Sequence, residues 1–257
     1  MKMTLFVIGN IVTIRVALYG VGSIGQSIAR ALLKRRGYEI VAAIDIDSSK
    51  VGKDLGELIG SKPIGVSITS DIDELYVSAP DVVIHTTASY LDKVYDQLVN
   101  SILARAYVVS TCETLSYPWY RYPVLARRLD RLAQTMGVAV IGTGINPGFL
   151  LDTLVAVMTL PLQEVKSVKV TRSLDASKRR VPFQKKIGIG MNPEELREKL
   201  HRGELTGHVG YAESVCLIAD ALGIQPTKIE EGQEPVIASE TIEIGGIKVQ
   251  KGKALGV

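Results

Sequence analysis

Three glycines near the start of the chain have the spacing of a phosphate-binding loop. Gly20, Gly22 and Gly25, in the segment GVGSIG, follow a short apolar run and precede a stretch of helical periodicity. The first glycine permits a tight turn, the second lets the backbone approach an anion, and the third lets the helix pack on a sheet. Ser23 and Ile24 complete the loop, and the N–H groups of the first helical turn would bind phosphate oxygens.

An acidic residue follows this loop at a second diagnostic distance. Asp45 lies twenty residues beyond Gly25, at the end of the next predicted strand, where a carboxylate can bind the adenosine ribose of a dinucleotide. The pattern predicts a nicotinamide dinucleotide cofactor, and repulsion of a 2′-phosphate by Asp45 favours NAD. Lys50 on the same loop would weaken that repulsion, so use of both NAD and NADP stays open. Aspartate is also a common turn residue, which leaves a structural role open for Asp45.

A parallel β-sheet is predicted to position the loop, because short apolar runs alternate with helical stretches. The predicted strands are residues 14–19, 40–44, 65–69, 82–86, 107–110 and 138–141. The predicted helices are residues 24–36, 53–59, 72–77, 91–104 and 123–136. The fold class is therefore α/β, with an N-terminal Rossmann domain built on a doubly wound parallel sheet.

The pattern changes after residue 141. The segment GTGINPG at 142–148 is rich in turn-forming residues, and we place the domain junction there, with a dinucleotide-binding domain at 1–147 and a substrate domain at 148–257. The second domain is predicted to be α+β. Its predicted helices are 149–160, 193–200 and 211–222, and its predicted strands are 168–171, 236–244 and 247–250. Residues 253–257 resemble the start of one more strand, which we expect to be unpaired, so that this domain would be incomplete.

Composition and charge exclude several functional classes. The chain has 257 residues, of which 46% are hydrophobic and 22% charged, as in ordered globular proteins. A net charge of +3 without a recognisable binding motif argues against nucleic-acid binding. The two cysteines lack CxxC spacing and no cluster has metal-ligand spacing, so we expect no metal site, no disulfide and a cytoplasmic location. No apolar stretch approaches the roughly 20 residues that span a bilayer.

Ligands of a doubly wound sheet bind beside the carboxyl ends of its strands, so the residues that follow each strand are candidate site residues. Thr86 ends the fourth predicted strand, Thr87 and Ser89 follow it, and we expect all three to contact the cofactor. Asn146 and Gly148, in the segment after the last strand, are expected to shape the nicotinamide pocket. The alternative for that last segment is a hinge linker without ligand contacts.

Five separated segments, in order, carry a resemblance to a known family. They are HTTAS at 85–89, STCETLSYPW at 110–119, GTGINPGFLLDTL at 142–154, DASKRRVPFQKKIG at 175–188 and GHVGYAESV at 207–215. From about residue 14 to 238 the sequence resembles the 2,4-diaminopentanoate dehydrogenase family, a branch of the dihydrodipicolinate-reductase-like oxidoreductases. The resemblance implies NAD(P)-dependent oxidative deamination of a small diamino acid such as 2,4-diaminopentanoate, or reductive amination in reverse.

The resemblance also implies roles for individual residues. Glu113 would lie beside the nicotinamide, where a carboxylate can hold the substrate ammonium, accept its proton and stabilise the iminium left by hydride transfer. A carboxylate at the start of a helix is the alternative for Glu113. His85 is the second candidate catalytic residue, in contact with the nicotinamide ribose or the substrate, unless its role is structural.

Substrate binding is expected in the second domain. Lys178, Arg179 and Lys185 belong to a basic run that could capture a substrate carboxylate, although such runs are often solvated faces. His208 would line the substrate pocket or, alternatively, only begin a helix. We expect a small amino-acid or amine substrate, no nucleic-acid or membrane partner, and a homo-oligomer formed through open sheet edges of this domain.

Other functions stay open at this level. The second domain lacks the paired histidines and the Pro-Ser-Gly-Thr run with which dihydrodipicolinate reductases bind substrate, so that activity would follow from the fold more than from the site. A homoserine- or aspartate-type dehydrogenase shares the two-domain plan. Members of the resembled family continue well beyond Val257, so a dinucleotide-binding sensor or catalytically weak remnant is the alternative from another class.

Overall fold

The computed structural model of the protein describes residues 12–173, 175, 184, 187–205, 207–244 and 246–257. The chain divides into two compact units between Phe149 and Leu150. This division directly follows the glycine-rich segment in which the sequence predicts the domain junction.

The first unit contains a six-stranded sheet in which every neighbouring pair is parallel. Its strands are β1 (Ile14–Tyr19), β2 (Tyr38–Ile44), β3 (Ile68–Thr69), β4 (Val82–His85), β5 (Tyr107–Ser110) and β6 (Val140–Gly142). The spatial order β3-β2-β1-β4-β5-β6 reverses direction between β1 and β4, which is where a doubly wound sheet opens a crevice for ligands. The predicted Rossmann architecture is confirmed.

Helices connect these strands on both faces of the sheet. They are α1 (Ser23–Leu33), α2 (Leu55–Leu58), α3 (Glu74–Ser78), α4 (Leu91–Leu103), α5 (Pro118–Arg121) and α6 (Pro123–Met136), with a 3₁₀ turn at Glu113–Leu115. Local signals set their ends. For example, α6 begins with Pro123, whose missing N–H costs nothing in a first turn, and stops at Gly137, which adopts a left-handed φ of 70°.

Side chains of β1 pack into the core on both faces of the sheet. Leu18 joins a buried cluster with Ala29 of α1 on one face, whereas Ala17 and Tyr19 join a second cluster with Val83 on the other. Because both faces are covered by helices, the strands are continuous apolar runs, and only their ends are available for ligands.

The strand register brings the predicted site segments to one edge. Tyr19 is paired with His85, His85 with Ser110, and Ser110 with Gly142. Tyr19 is also paired with Ile44 on its other side. The glycine loop, Asp45 and the segments that follow β4, β5 and β6 therefore leave the sheet at the same level.

The described part of the second unit is α+β, as predicted. Its helices are α7 (Thr153–Thr159), α8 (Pro193–His201) and α9 (Tyr211–Ala221). Its strands are β7 (Val236–Ile237), β8 (Ile242–Ile244), β9 (Ile247–Val249) and β10 (Ala254–Gly256). They form two antiparallel pairs, β7 with β10 and β8 with β9.

Three predictions for this unit are corrected. Residues 168–171 form no strand, because no strand in the described ranges pairs with this alternating segment. The strand predicted at 236–244 is two strands with different partners. The last residues are paired rather than unpaired, since Ala254 is opposite Ile237 and Lys253 accepts a hydrogen bond from the N–H of Ala238.

Across all the described residues, none of the helices is long and apolar enough to cross a membrane.

Candidate active site

The glycine loop has the shape that a dinucleotide pyrophosphate requires. Gly20 has a φ of 97°, and a Cβ added to it would lie 2.9 Å from the carbonyl carbon of Thr86. A Cβ on Gly25 would lie 2.1 Å from the carbonyl oxygen of Gly20, so α1 can pack on the loop only because residue 25 is glycine. A Cβ on Gly22 would meet nothing within 4 Å, which leaves open space over the middle of the loop.

The first turn of α1 supplies hydrogen-bond donors to that space. Gly22 is the N-cap and has no side chain with which to satisfy the first amides. The first helical bond runs from the N–H of Gln26 to the carbonyl of Gly22, so the amides of Ser23, Ile24 and Gly25 have no acceptor within the helix. Open space, unsatisfied amides and the positive end of the helix dipole together fit a pyrophosphate.

The carboxylate of Asp45 ties this loop to the end of β2. One oxygen, Oδ2, accepts from the N–H of Val21 at 2.7 Å and from Nζ of Lys50 at 3.0 Å, and Oδ1 accepts from the N–H of Asp47 at 2.9 Å. Burial works to raise the pKa of Asp45, but the hydrogen bonds from Asp47, Lys50 and Val21 outweigh it, so this pKa lies below its ordinary value. Oδ2 is fully engaged, which leaves Oδ1 as the acceptor with room for a ribose hydroxyl.

Lys50 is held between two carboxylates. Its Nζ is 3.0 Å from Oδ2 of Asp45 and 3.3 Å from Oδ2 of Asp47. Burial works to lower the pKa of Lys50, but its bonds to both aspartates outweigh this and raise it. Asp45, Asp47 and Lys50 thus carry two negative charges and one positive charge, a net charge that disfavours a further anion.

Thr86 and Thr87 are both engaged with the protein. The hydroxyl of Thr86 donates to the carbonyl of Gly20 at 2.7 Å, and the N–H of Thr86 donates to the carbonyl of Tyr19 at 2.8 Å. The hydroxyl of Thr87 donates to Oε1 of Gln97 at 2.6 Å. Thr86 thus joins the loop after β4 to the glycine loop, and Thr87 joins it to α4. The predicted cofactor contacts of Thr86 and Thr87 therefore lie on a segment that the protein itself holds in place.

His85 is fully buried at the end of β4. Its Nδ1 lies 2.8 Å from Oγ of Ser110, and its Nε2 lies 2.8 Å from Oε1 of Gln97 and 2.9 Å from Oγ1 of Thr87. Burial lowers the pKa of His85, with a smaller opposing effect from Gln97. This geometry argues against the predicted contact of His85 with ribose or substrate, because the ring lies inside the unit and both nitrogens already have partners.

Glu113 begins the 3₁₀ turn that follows β5. Two bonds hold this turn against the start of α4: the N–H of Thr114 donates to the carbonyl of Ser89 at 3.1 Å, and the N–H of Leu91 donates to Oγ1 of Thr114 at 2.8 Å. The Glu113 side chain is half-buried, and within the described ranges its carboxylate makes no hydrogen bond or ion pair. The backbone of this turn is fixed, while the carboxylate oxygens have no partner in the described ranges. Such a carboxylate is suited to bind and deprotonate an ammonium.

The neighbouring Cys112 is a packing residue. It is buried in the cluster between α4 and α6, and burial raises the pKa of its thiol to about 11. The thiol is therefore protonated at neutral pH, which makes it a poor nucleophile.

The junction segment is compact. Gly148 has a φ of 117°, and a Cβ on it would lie 2.3 Å from the amide nitrogen of Gly144. The N–H of Thr143 donates to the carbonyl of Ser110 at 2.8 Å, so the segment starts at the same edge as the Glu113 turn. Asn146 lies within this turn, on the segment where the sequence predicts the nicotinamide pocket.

Sequence reasoning missed three residues that position the site. Thr114 and Gln97 make the bonds given above. Gly142 lets β6 approach the Glu113 turn, because a Cβ there would lie 2.3 Å from the carbonyl carbon of Leu115. Gly142 could have been suspected from the glycine-rich segment, whereas nothing local marks Thr114 or Gln97, whose partners come from other elements.

The second unit contains a cavity of about 610 Å³. His208 is on its wall, and its ring packs on that of Tyr211 with 4.7 Å between centroids. Charged side chains on the described wall are Arg172, Asp175 and Glu243. The predicted carboxylate-binding residues lie outside the described residues; they are Lys178, Arg179 and Lys185.

Two family models match the chain. The model for the dihydrodipicolinate reductase N-terminus matches residues 14–111, and the model for the 2,4-diaminopentanoate dehydrogenase C-terminal domain matches residues 149–257. The second match begins at residue 149, next to the division between the two structural units after Phe149.

Individual proteins agree with these models. The chain is 35% identical to 2,4-diaminopentanoate dehydrogenase of Acetoanaerobium sticklandii, over 87% of this chain and 64% of that protein. It is 23% identical to the amine dehydrogenase of Streptomyces virginiae, over 85% of this chain and 62% of that protein. The structure of amine dehydrogenase from Mycobacterium smegmatis superposes with a TM-score of 0.80 at 27% identity, covering 95% of this chain and 72% of that one. The chain thus spans a little under two thirds of the first two proteins.

Proposed function

We propose that the chain is an NAD(P)-dependent amine dehydrogenase of the 2,4-diaminopentanoate dehydrogenase type, within the dihydrodipicolinate-reductase-like oxidoreductases whose domain models it matches. One observation carries the proposal. The carboxylate of Glu113 makes no hydrogen bond or ion pair within the described ranges. It follows β5 at the same sheet edge as the glycine loop after β1, which has open space for a pyrophosphate. A base and a dinucleotide are the two requirements for oxidising an amine by hydride transfer.

The reaction we propose is oxidative deamination. When bound, the oxidised nicotinamide accepts a hydride from the carbon that bears the amino group. Glu113 first accepts a proton from the substrate ammonium; once that proton has passed to water, the restored negative charge of the carboxylate stabilises the iminium. Water adds to the iminium and releases the ketone. In sum, an alkylammonium, NAD(P)⁺ and water give a ketone, ammonium, NAD(P)H and a proton.

Charges in the second unit support a small diamino acid, such as 2,4-diaminopentanoate, as substrate. The described part of the cavity wall carries the guanidinium of Arg172 and the carboxylates of Asp175 and Glu243. These charges complement the carboxylate and the ammonium groups of such a molecule. Capture of the substrate carboxylate by Lys178, Arg179 or Lys185 stays part of the proposal.

The loop after β2 supports NAD over NADP. Asp45 and Asp47 share a single cation, Lys50, so a 2′-phosphate would meet a net negative charge. Lys50 softens that repulsion without removing it. We therefore propose NAD as the preferred dinucleotide and NADP as a weaker alternative.

Replacing Glu113 by glutamine tests the chemistry. The amide keeps the size of the side chain but cannot accept a proton, so amine-dependent formation of reduced dinucleotide should fall by about 10² to 10⁴-fold. The dissociation constant of the dinucleotide should stay within about twofold, because the loop after β1 is untouched.

A matched control is Glu39→Gln, at the opposite end of the sheet, where the carboxylate makes a 3.9 Å ion pair with Arg15. That variant should keep wild-type turnover. Retained turnover in Glu113→Gln would overturn the assignment.

Two further features of the sequence prediction stay proposals. Homo-oligomer formation through the second unit is supported by the open edges of its two-stranded sheets. Light scattering during size-exclusion chromatography measures this directly, and a monomer would contradict it. A cytoplasmic location is supported by Cys112 and Cys216, which are both buried thiols.

A further inference from the structure

A chain of hydrogen bonds, buried at His85 and Ser110 and exposed at Thr87, crosses the first unit beneath the sheet edge. It runs from Thr87 and Gln97 through the ring of His85 to Ser110, and Oγ of Ser110 accepts from the N–H of Cys112 at 3.1 Å. His85 and Ser110 are fully buried, and their strands are in register at this pair. Such a network is costly unless every member is satisfied, and here each has a partner.

With Oε1 of Gln97 facing the ring of His85, as in the structure, the donors and acceptors allow one consistent direction. Oε1 of Gln97 can only accept, so the hydroxyl of Thr87 and Nε2 of His85 both donate to it. Nε2 therefore carries the ring proton, and Nδ1 accepts from the hydroxyl of Ser110. The oxygen of Ser110 has lone pairs left for the N–H of Cys112.

The two ends of this chain are the two halves of the proposed site. Thr87 touches the glycine loop, since a Cβ on Gly20 would lie 3.0 Å from its methyl carbon. Cys112 directly precedes Glu113, and its N–H is the last group of the network before the turn. His85 is the side chain that bonds to both ends of this network, in addition to the bonds by which Thr114 ties the Glu113 turn to Ser89 and Leu91.

We propose that His85 is a positioning residue that couples the orientation of the Glu113 turn to the loop beneath the dinucleotide, acting through Ser110 on one side and through Thr87 and Gln97 on the other. This inference rests on the proposed function, because it assigns Glu113 as the base. His85 itself touches neither substrate nor cofactor. Its imidazole holds two loops at a fixed distance, which a buried apolar side chain could not do by packing alone.

The tautomer can be measured on the unaltered protein. The chain has three histidines, so a ¹⁵N-histidine-labelled sample gives a short list of ring signals, and variants of His201 and His208 assign them. We expect one ring, that of His85, to be neutral with its proton on Nε2 at neutral pH. A proton on Nδ1, or a ring that is charged at neutral pH, would overturn the proposed direction of the network.

Two substitutions separate the two sides of the ring. The amide of asparagine reaches about as far as Nδ1, so His85→Asn keeps a partner for Ser110 and loses the contact with Gln97. The longer glutamine reaches about as far as Nε2, so His85→Gln keeps Gln97 and loses Ser110. Each variant therefore leaves one half of the network in place.

The expected results differ between the variants. His85→Gln should lower kcat by about ten- to a hundredfold, because Glu113 is misplaced, and should speed hydrogen exchange of the Cys112 amide, while the dinucleotide dissociation constant changes by less than about threefold. His85→Asn should weaken dinucleotide binding by about three- to tenfold and keep kcat within about threefold at saturating dinucleotide.

Other outcomes are equally informative. Equal changes of kcat and of dinucleotide affinity in both variants would show a merely structural role and overturn the coupling. Should either variant fail to fold, the ring signals of the unaltered protein still test the coupling, because a proton on Nδ1 would break the proposed path from Gln97 to Ser110. If Glu113→Gln keeps its turnover, the proposed base is wrong; if it is inactive but the His85 variants behave alike, the coupling alone is wrong.

Discussion

Replacing Gly22 by alanine should abolish tight dinucleotide binding and leave the fold in place. The new Cβ would enter the open space over the loop, where nothing lies within 4 Å, and this is the space that a pyrophosphate would fill. Gly22 has a φ of −74°, which alanine adopts without strain. As an N-cap, alanine is worse than glycine by about 0.5 to 1 kcal/mol.

The cost of alanine at the N-cap is offset by its effect on the unfolded chain. Alanine lowers the conformational entropy of the unfolded chain, which stabilises the fold by about 0.4 to 1 kcal/mol. The free energy of unfolding should therefore change by less than about 0.5 kcal/mol, and the Tm by less than about 2 °C. The dissociation constant for NAD should rise at least about tenfold, which is about 1.4 kcal/mol of binding free energy.

Gly25→Ala is the matched control, because we expect it to lower the stability of the fold, which Gly22→Ala should leave nearly unchanged. Its Cβ would lie 2.1 Å from the carbonyl oxygen of Gly20, so α1 or the loop must shift. Overpacking of this kind costs about 1 to 3 kcal/mol, and the Tm should fall by about 3 °C for each kcal/mol.

Calorimetric titration with NAD and a thermal scan of each variant give the two quantities. Unchanged NAD affinity in Gly22→Ala would refute the placement of the pyrophosphate, and a large loss of Tm in the same variant would refute the steric reasoning.

Two further predictions follow from the charged and buried groups. Lys50→Ala should raise the KM for NADP about three- to tenfold more than the KM for NAD, because Asp45 and Asp47 then repel a 2′-phosphate without a cation between them. Equal changes of the two KM values in steady-state assays would contradict this role of Lys50. Stability should also fall as the pH drops below about 6.5, since burial lowers the pKa of folded His85 and only the unfolded chain then binds the proton. The free energy of unfolding should fall by at most about 1.4 kcal/mol for each pH unit, and denaturant midpoints of the wild type and His85→Asn measure this. The same dependence of stability on pH in both proteins would show that His85 is not its cause.

Local patterns were sufficient for the first unit. The bounds of β1, β5 and α6 agree with their predictions because buried apolar runs, a proline start and a glycine stop are written in adjacent residues. The glycine loop was predictable for the same reason. Each glycine is required by the geometry of the loop itself or by its contact with the segment after β4, and the spacing of the three glycines is enough to predict this.

Features that depend on distant partners were not predictable. The role of His85 depends on its register with Ser110 and on Gln97 of α4, neither of which the segment HTTAS encodes. The pairing of β10 with β7 joins residues separated by a second hairpin, so an apparently unpaired end was predicted. Thr114 is similar, since its bonds reach back to Ser89 and Leu91.

The most direct test of the central claim is to mix the protein with 2,4-diaminopentanoate and NAD or NADP, and to follow reduced dinucleotide and ammonium together. The proposed function predicts that both form in equal amounts, with an amine required, and that Glu113→Gln forms neither. Tight dinucleotide binding without reduction in the presence of any diamine or ω-amino acid would contradict an amine dehydrogenase and favour a dinucleotide-binding sensor. Reduction with a hydroxyl substrate instead, without ammonium, would favour a homoserine-type dehydrogenase.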